Sequence, residues 1–373
     1  MKRIPTTHPR TGSRPAPALV LDVGWVNGLA AVRSLGRAGI PVYAVDHRRS
    51  ALGFRSRYAE PRLSPDPVDE EDAYVDFLAR LGERLPAPTP VFPTHDPPLN
   101  AVARGRERLG ERFLYPFPAW DVLERIQSKR AQLETAEASG IPIPRTFAAP
   151  TDELGFPALV KPSNPIGFRR AFGRQAFRCE TRAELDDAFE RARPYEPLVQ
   201  EVIPGGDEEL YSLGSYLRPD GEALGLFTGR KLEQYPRGVG TCRVGEALWV
   251  EEVVDQGLAL LRALGFHGIS QVEFKRDPRD GAYKLMEVNP RLWQWHGLAA
   301  ACGVDLPLIA YRDLTGDRPE PARMNGRPRR WAITLLRGSA PVLVKPPYVD
   351  AVFSRDDPKP AVVQAARALR PGR

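Results

Sequence analysis

The chain has 373 residues, which is enough for two or three domains with a sizeable core. Its 42% hydrophobic and 27% charged residues are ordinary for a globular protein, and no apolar run approaches ~18 residues, so we expect no membrane span. The net charge of +6 comes from Arg spread along the chain without a nucleic-acid motif, and an anionic small substrate explains it equally well. Three widely spaced cysteines indicate neither a disulfide framework nor a zinc site.

Residues 1–17 are basic and rich in Pro, Thr and Ser, and they lack the apolar core of a signal peptide. We predict a disordered leader on a cytoplasmic protein. A buried strand at residues 18–23, a helix at 28–38 and a second strand at 40–45 predict a βαβ opening. Asp46 lies at about the distance of a ribose-binding acid, but Gly24-x-x-x-Gly28 differs from G-x-G-x-x-G, which disfavours an NAD site.

The next predicted strand ends at a polar cluster. A helix at residues 74–85 precedes a strand at 89–93, and Thr94-His95-Asp96 follows that strand directly. Parallel sheets place ligands at the carboxyl ends of their strands, so His95 and Asp96 are candidate ligand-binding residues. Asp96 capping the next helix explains the pattern equally well.

Hydrophobic periodicity and turn residues predict the remaining elements of the chain. These are a helix at 120–138, a strand at 156–161, a loop at 162–177, a helix at 184–193, a strand at 197–203, a hairpin of 210–217 with 222–232, helices at 251–264, 298–301 and 306–314, and, in a Pro- and Arg-rich tail, an apolar run at 331–336 and a helix at 361–369 that pack back on the body.

The most informative stretch is a second predicted hairpin at residues 268–291, with its turn near Asp280. Alternation along a strand puts Val272 with Phe274, and Met286 with Val288, on an apolar face. The opposite face carries the polar side chains. Folding about residue 280 brings Glu273 and Glu287 roughly opposite each other, with Asn289 beside them.

Two carboxylates at facing strand positions repel each other, and a divalent cation removes that repulsion. Mg²⁺ takes oxygen ligands and commonly uses one or two carboxylates plus substrate phosphates. Arg291 lies two residues past Asn289 and can hold a phosphate or a carboxylate from the same side. An exposed hairpin with solvated charges is the alternative. The set of Glu273, Glu287, Asn289 and Arg291 favours a metal site over it.

This set resembles the metal-binding signature of the ATP-grasp superfamily, and the similarity runs from about residue 20 to 316. The resemblance extends to the carboxylate–amine ligase branch, with its D-aspartate ligase-like and carbamoyl-phosphate synthase large-chain-like proteins. It implies an α/β ATP-grasp fold with an N-terminal Rossmann-like lobe. The implied domains are residues 18–120 for that lobe, 121–317 for the ATP-grasp domain (small lobe about 125–200, large lobe about 201–317) and 318–373 for a C-terminal extension.

The resemblance also implies roles for single residues. The metal ligands are Glu273, Glu287 and Asn289; the nucleotide is bound by Lys129 and Lys161 at its phosphates, by Glu201 and Ile203 through backbone contacts to adenine with Gln200 beside them, and by Glu209 at the ribose; the catalytic residues are Lys231 and Arg291; the substrate candidates are Arg237, Arg243 and His296. A mobile loop at residues 163–172 covers the phosphates, with Arg169 or Arg170 acting by charge. The resemblance implies that Trp293, Trp295 and His296 lie near the acceptor substrate. Core packing explains the two tryptophans equally well, and a simple hydrogen bond explains His296 equally well.

The implied reaction uses ATP and two Mg²⁺ ions, for which Mn²⁺ can substitute, to join a small carboxylate to a small amine through an acyl phosphate, releasing ADP and phosphate. We expect no nucleic-acid or membrane partner and leave a homo-oligomer open. The alternatives are a bicarbonate-using carboxylase or carbamoyl-phosphate-type enzyme, a non-catalytic nucleotide sensor, which is expected to lose metal ligands, and an Arg-rich nucleic-acid binder, which has no motif here.

Overall fold

The computed structural model describes residues 15–86, 88–163, 165–236, 238, 240–324, 326, 329–335, 342, 344–345 and 347–368. Its strands form a parallel N-terminal sheet, a small antiparallel sheet and a large, mainly antiparallel sheet. Within the described residues, no helix is long and apolar enough to cross a membrane.

The N-terminal sheet has the strand order β3-β2-β1-β4-β5, with all pairs parallel. Its strands are β1 (Ala18–Leu21), β2 (Val42–Asp46), β3 (Ala59–Leu63), β4 (Thr89–Pro93) and β5 (Phe113–Leu114), and its helices are α1 (Val26–Arg37), α2 (Glu71–Glu83), α3 (Asp96–Arg104) and α4 (Arg106–Leu109). The predicted βαβ opening is confirmed. Strands β1 and β4 are buried along their whole length, as expected of continuous apolar runs between two helical layers.

Two helices, α5 (Trp120–Gln127) and α6 (Lys129–Ala138), lead into the small lobe. Its strands are β6 (Thr146–Phe147), β7 (Ala158–Pro162), β8 (Phe177–Cys179) and β9 (Pro197–Glu201), in the order β6-β9-β7-β8, and its helices are α7 (Pro165–Phe172) and α8 (Arg182–Ala192).

The large sheet contains both predicted hairpins and has the order β14-β13-β10-β11-β12-β16-β17, with β15 beside β11. Its strands are β10 (Leu210–Leu217), β11 (Ala223–Tyr235), β12 (Thr241–Ala247), β13 (Gly268–Arg276), β14 (Tyr283–Asn289), β15 (Ala322–Arg323), β16 (Arg330–Ala332) and β17 (Tyr348–Asp350), and the accompanying helices are α9 (Glu251–Ala263), α10 (His296–Ala301), α11 (Leu306–Leu314) and α12 (Lys359–Ala368).

The N-terminal sheet and the large sheet share their hydrophobic core. On β1, Val20 packs in one cluster with Trp293, whereas Leu19 packs in another with Val272 of the β13–β14 hairpin. The small lobe has a cluster of its own, which includes Phe168 and Val199. The predicted boundary at residue 120 therefore separates two sheets but not two cores.

The predicted helix at residues 120–138 is in fact two helices. Ser128 has an extended backbone (φ −74°, ψ 112°), and its hydroxyl accepts a hydrogen bond from the Ala131 N–H at 3.3 Å. A serine that caps a new helix interrupts the hydrogen-bond ladder of the preceding one. The break places Lys129 in the first turn of α6.

The segment predicted as a mobile loop, residues 163–172, is mostly the helix α7; Asn164 lies outside the described residues. Phe168 and Phe172 lie one turn apart, with ring centroids 5.0 Å from Phe177 in both cases. The loop prediction was wrong because these rings anchor the segment to the small lobe. Arg170, predicted to act on phosphates, instead pairs with Asp69 of the N-terminal lobe at 2.6 Å.

Both ends of the described chain pack against the body. Residues 15–17 were predicted as part of a disordered leader, yet Pro17 is buried and the Ala16 carbonyl accepts a hydrogen bond from the Tyr311 hydroxyl at 2.6 Å. Residues 1–14 lie outside the described part. In the C-terminal extension, Trp331 is buried and Asp357 pairs with Arg33 at 2.9 Å, which confirms that the tail packs back on the body.

Candidate functional site

The polar face of the β13–β14 hairpin carries two carboxylates at facing positions. Glu273 lies opposite Glu287, and Gln271 lies opposite Asn289, in the antiparallel register. Residues two apart along a strand share a face, so Glu287 and Asn289 lie on the same side. The register confirms the predicted opposition of Glu273 and Glu287.

The apolar face differs from the prediction by one residue. The register shifts between Glu273 and Phe274, so that Leu285 rather than Met286 lies opposite Phe274. Leu285 and Val288 are buried, whereas Met286 is half-buried. Placing Met286 on the apolar face was wrong because simple alternation cannot anticipate the extra residue of a β-bulge.

Two glutamine side chains hold the hairpin in place. The Gln271 amide donates to Glu273 Oε1 at 3.0 Å, and its oxygen accepts from Asn289 Nδ2 at 3.3 Å. On α6, the Gln132 oxygen accepts from the Val288 N–H at 3.0 Å. Gln271 thus orients the candidate ligands Glu273 and Asn289. Gln132 fixes the backbone of β14 at Val288. Sequence reasoning assigned neither residue a role; the position of Gln271 on the polar face was the available signal.

Each carboxylate has a lysine partner from a different element. Lys231 Nζ on β11 lies 2.8 Å from Glu273 Oε1, and both side chains are almost completely buried. Lys129 Nζ on α6 lies 3.4 Å from Glu287 Oε2. The two lysines were assigned separate roles from the sequence, and the fold brings both to the carboxylate pair.

The two carboxyl groups titrate differently: Glu273 is buried, whereas Glu287 is half-buried. Burial raises the pKa of Glu273, repulsion by Glu287 adds to the increase, and Lys231 opposes it. At Glu287 the effect of partial burial is outweighed by attraction from Lys129 and a hydrogen bond from Asn289, so the pKa falls below its usual range. Glu287 is therefore charged at neutral pH, and the pair can accept additional positive charge.

The oxygen donors of the hairpin fit a Mg²⁺ ion that also binds a phosphate better than they fit a metal ion bound only by protein side chains. Among the described residues, no group of three or more His, Cys, Asp and Glu side chains is placed to hold a metal ion. Glu273, Glu287 and Asn289 supply two carboxylates and one amide oxygen. Mg²⁺ commonly takes one or two carboxylates and completes its octahedron with waters and substrate phosphates. These residues therefore fit a Mg²⁺ ion that is bound together with a phosphate ligand.

Lys161 lies at the end of β7 and faces the neighbouring strand β9. Its Nζ donates to Gln200 Oε1 at 2.7 Å, and the Gln200 amide donates in turn to Thr146 Oγ1 at 2.9 Å. Burial, with repulsion by Lys129, lowers the pKa of Lys161 to about 7. An amine that is desolvated in this way is readily protonated when a phosphate approaches it.

Arg291 is fixed by the N-terminal lobe. Its Nε and Nη2 atoms donate to the two oxygens of Asp96 at 2.5 and 3.1 Å, which is a bidentate pair, and Nη2 also lies 3.3 Å from Asn289 Oδ1. The helix α3 is capped by His95, without a side-chain hydrogen bond. Asp96 therefore does not cap the helix but positions the arginine, and His95 Nδ1 lies 3.1 Å from Asp22 Oδ2.

The predicted adenine strand is β9 and the residues that follow it. The Glu201 N–H donates a hydrogen bond to the Arg145 carbonyl at 2.9 Å and is not available to adenine. Of the predicted backbone contacts of Glu201, only that of its carbonyl oxygen remains possible. The Glu201 carboxylate is engaged with Arg279 at 3.0 Å and Lys284 at 3.4 Å. Ile203 is buried, and its contact with adenine stays a prediction.

Glu209, predicted to bind the ribose, lies in a short 3-10 turn, Asp207–Glu209. Its Oε2 atom is buried and, among the described residues, has no hydrogen-bond donor; Arg276 Nη1 is 3.9 Å away. A carboxylate oxygen without a donor can accept a hydrogen bond from a ligand hydroxyl. Asp207, which the sequence did not single out, accepts from the Gln234 N–H at 2.8 Å and fixes the end of β11.

The three predicted substrate residues differ in their surroundings. Arg237 lies outside the described residues. Arg243 is buried on β12, with Nη1 3.6 Å from Glu233 Oε1. His296 is 1% exposed, its Nε2 lies 3.0 Å from the Asn27 carbonyl, and burial lowers its pKa to about 4. These contacts make His296 a neutral residue of the interior, and they do not support its assignment to a substrate.

The two tryptophans that precede His296 are core residues. Trp293 and Trp295 are each 1% exposed, and their ring centroids lie 6.3 Å apart. Trp293 also stacks on Phe227. Of the two explanations that the sequence left open, core packing is the one the structure supports.

Comparison with known proteins gives consistent but distant matches. A family model described as the ATP-binding domain of the carbamoyl-phosphate synthase L chain matches residues 249–317, which include the hairpin. The chain is 26% identical over 238 residues to D-aspartate ligase of Enterococcus faecium, covering 58% of this chain and 56% of that protein. It is 26% identical over 318 residues to the carbamoyl phosphate synthase large chain of Thermus thermophilus, covering 76% of this chain and 29% of that protein. The chain thus spans about half or less of these relatives.

Solved structures with similar folds include biotin carboxylase from Campylobacter jejuni, with a TM-score of 0.64, 15% identity and coverage of 81% of this chain and 72% of that one. They also include L-amino acid ligase from Bacillus licheniformis, with a TM-score of 0.59, 18% identity and coverage of 81% and 75%. At these identities the likeness shows a common fold.

Proposed function

The chain belongs to the ATP-grasp superfamily and has its fold, and from this premise we propose that it is an ATP-dependent carboxylate–amine ligase. The observation that carries the proposal is the carboxylate pair of Glu273 and Glu287, which lies within reach of Lys129 and Lys231. A site of this kind combines metal ligands with cations, which is what a triphosphate with its divalent ions requires.

The proposed roles follow from the charges around the hairpin. Mg²⁺ bound at Glu273, Glu287 and Asn289 would offset the charge of the phosphates and polarise the γ-phosphoryl group. Lys129 and Lys161 bind phosphate oxygens. These groups hold the triphosphate still while the reaction takes place, which supplies positioning and electrostatic stabilisation.

The chemical steps need a nucleophile from the substrate and none from the protein. A substrate carboxylate oxygen attacks the γ-phosphorus, the bond to the β-phosphate oxygen breaks, and ADP leaves. Arg291, held by Asp96, stabilises the charge that develops during this transfer, together with Lys231. The amine then attacks the carbonyl carbon of the acyl phosphate, loses a proton and displaces inorganic phosphate to leave an amide.

The substrate class is proposed from the relatives and from Arg243. Similarity to D-aspartate ligase supports an amino acid as one of the two substrates. Arg243 lies on the strand next to that of Lys231 and can hold a substrate carboxylate. The arginine Arg237, outside the described residues, is proposed for the same task from the sequence.

An oxygen-label experiment tests the reaction directly. The protein is incubated with Mg-ATP, an amine panel and amino acids that carry ¹⁸O in the carboxylate, and the released phosphate is analysed by mass spectrometry. We expect one ¹⁸O in the phosphate and an amide product, each only when both substrates are present. Phosphate without label, or label in AMP, contradicts the acyl-phosphate route.

A bicarbonate-using enzyme is the second candidate, because the matching family model describes the ATP-binding domain of a carbamoyl-phosphate synthase and because biotin carboxylase has a similar fold. The same experiment with ¹⁸O-bicarbonate separates the two. Label transfer from bicarbonate, without any from amino acids, would replace the ligase by a carboxylase or carbamoyl-phosphate-type reaction. Mg-ATP binding without phosphate release under every condition would favour a nucleotide sensor.

A further inference from the structure

A cavity of about 820 Å³ lies apart from the hairpin, between α1, the α10–α11 region and the C-terminal extension. Its wall on α1 includes Arg33 and Arg37, in the last half of that helix. The lining contains none of the residues assigned to the metal, the nucleotide or the substrate. The cavity is therefore built from a different set of residues than the nucleotide site.

The carboxylates in the wall already have hydrogen-bond donors. Asp305 accepts from the Ser34 hydroxyl and caps α11. Asp350 accepts from Thr334 Oγ1 and from the Val352 N–H, both at 2.8 Å. These acidic groups are engaged within the protein and have little capacity to attract a cationic ligand.

The arginines in the wall fall into two pairs. Arg33 and Arg37 are neutralised by ion pairs with Asp357 at 2.9 Å and Asp356 at 2.8 Å. The side chains of Arg312 and Arg355 also line the cavity, and in the described part of the chain neither has a hydrogen bond or an ion pair. Among the described residues, the cavity therefore presents two guanidinium groups without a hydrogen bond or an ion pair, and Asp305 attracts that of Arg312 only from beyond ion-pair distance.

The rest of the wall is partly aromatic. Trp331, Tyr348 and Phe353 line the cavity; Trp331 is buried, and Phe353 is 54% exposed. A volume of about 820 Å³ lies within the range of sites for small organic ligands. Guanidinium groups bind carboxylate, sulfonate and phosphate oxygens, and they also stack on aromatic faces.

We propose that this cavity is a second ligand site, which binds a small organic anion through Arg312 and Arg355 with its apolar body against the aromatic wall. The site depends on the C-terminal extension, because Arg355, Tyr348 and Trp331 all belong to it. It is independent of the ligase reaction and of the nucleotide.

The probe for the test is 8-anilinonaphthalene-1-sulfonate, an aromatic sulfonate whose fluorescence rises on leaving water. It is titrated into the full chain with and without saturating Mg-ATP, so that any binding at the nucleotide site is removed. We expect saturable binding of one probe per chain that persists in Mg-ATP. The double variant Arg312→Gln/Arg355→Gln should weaken this binding about tenfold or more.

A matched double variant, Arg84→Gln/Arg262→Gln, removes the same charge from exposed positions outside the cavity and should bind the probe like the unmodified chain. Ala300→Leu narrows the cavity without a change of charge and should also weaken binding. Circular dichroism checks folding of each variant. Absence of saturable binding in Mg-ATP overturns the proposal, as does equal weakening by the two double variants or no weakening by Ala300→Leu.

Discussion

The β13–β14 hairpin and the small lobe support the same proposed site in different ways. The apolar side of the hairpin belongs to a core shared by the N-terminal and large sheets, whereas the small lobe has a core of its own. Lys161 and Gln200, proposed to contact the nucleotide, lie on that separate lobe. The proposed metal ligands therefore lie on a strand pair that packs into the shared core, and part of the proposed nucleotide site lies on a lobe with a separate core.

Among the described residues, the polar contacts that join the small lobe to its surroundings include two sets of ion pairs. The Glu201 carboxylate pairs with Arg279 and Lys284 in and beside the hairpin turn, and Arg170 on α7 pairs with Asp69 of the N-terminal lobe. The second pair is exposed, and exposed ion pairs contribute at most about 1 kcal/mol. We therefore expect the hairpin residues to keep their positions and the small-lobe residues to shift more easily. The following variants test this expectation.

The largest expected effect is at the hairpin. Glu287→Gln keeps the shape of the side chain but removes a charged metal ligand, so ATP turnover should fall by at least about a thousandfold. The fold should persist, because the apolar face of the hairpin is unchanged. Glu134→Gln, at an exposed position on α6, is the control and should turn over ATP normally. Normal turnover by Glu287→Gln would show that the metal assignment is wrong.

A smaller effect is expected where the N-terminal lobe holds Arg291. Asp96→Asn loses the charged bidentate partner and lets the guanidinium group turn, so kcat should fall roughly tenfold to a hundredfold. Because Asp96 acts through Arg291, the affinity for Mg-ATP should change little. Steady-state kinetics and calorimetry measure the two quantities, with Asp121→Asn as an exposed control. Loss of nucleotide affinity with unchanged kcat would contradict a positioning role.

In the small lobe, the next prediction concerns the protonation of Lys161 when a nucleotide binds. Folded Lys161 loses its proton near pH 7, whereas the unfolded chain keeps it until near pH 10.5. Between these values the unfolded state binds more protons, so this residue makes the free energy of unfolding rise with pH. A phosphate beside Lys161 raises the pKa of its amine again, because it stabilises the charged form. At pH 8, nucleotide binding should therefore take up close to one proton.

Calorimetry in buffers of different ionisation enthalpy measures that uptake. Lys161→Arg stays charged throughout and should bind nucleotide with no proton uptake at this position. Equal uptake by the variant and the unmodified chain would place the titrating group elsewhere.

The smallest effect on turnover is expected at His296, which lies in the shared core. His296→Ala removes a buried ring and its hydrogen bond to the Asn27 carbonyl, so the free energy of unfolding should fall by about 2–4 kcal/mol. The kcat/KM for either substrate should change less than about threefold, because a neutral, buried imidazole does no acid–base work. A large loss of kcat/KM in a stably folded variant would restore the substrate role.

The sequence was most informative where local pattern determines structure. Alternation and a turn signal located the hairpin and the opposition of Glu273 to Glu287. Local pattern could not reveal the bulge at Met286, which depends on the register of two strands. It also missed the break at Ser128, because the apolar periodicity continues on both sides of a capping residue.

The partners of the site residues were beyond sequence reasoning for a different reason. Asp96 and Arg291 are 195 positions apart, and Gln132 and Val288 are 156 apart. No periodicity links residues at such separations, so only the packing of the lobes pairs them. The helical character of α7 was missed because its aromatic contacts, such as that of Phe168 with Tyr195, form only in the folded small lobe.

The central claim is that the hairpin binds a divalent ion together with the nucleotide. The most direct test is calorimetry with a non-hydrolysable ATP analogue, titrated with and without Mg²⁺ into the unmodified chain and into Glu287→Gln. The account predicts tight binding by the unmodified chain only when Mg²⁺ is present, and loss of this metal dependence in the variant. Binding that is equally strong without Mg²⁺, or equally metal-dependent in the variant, would contradict it.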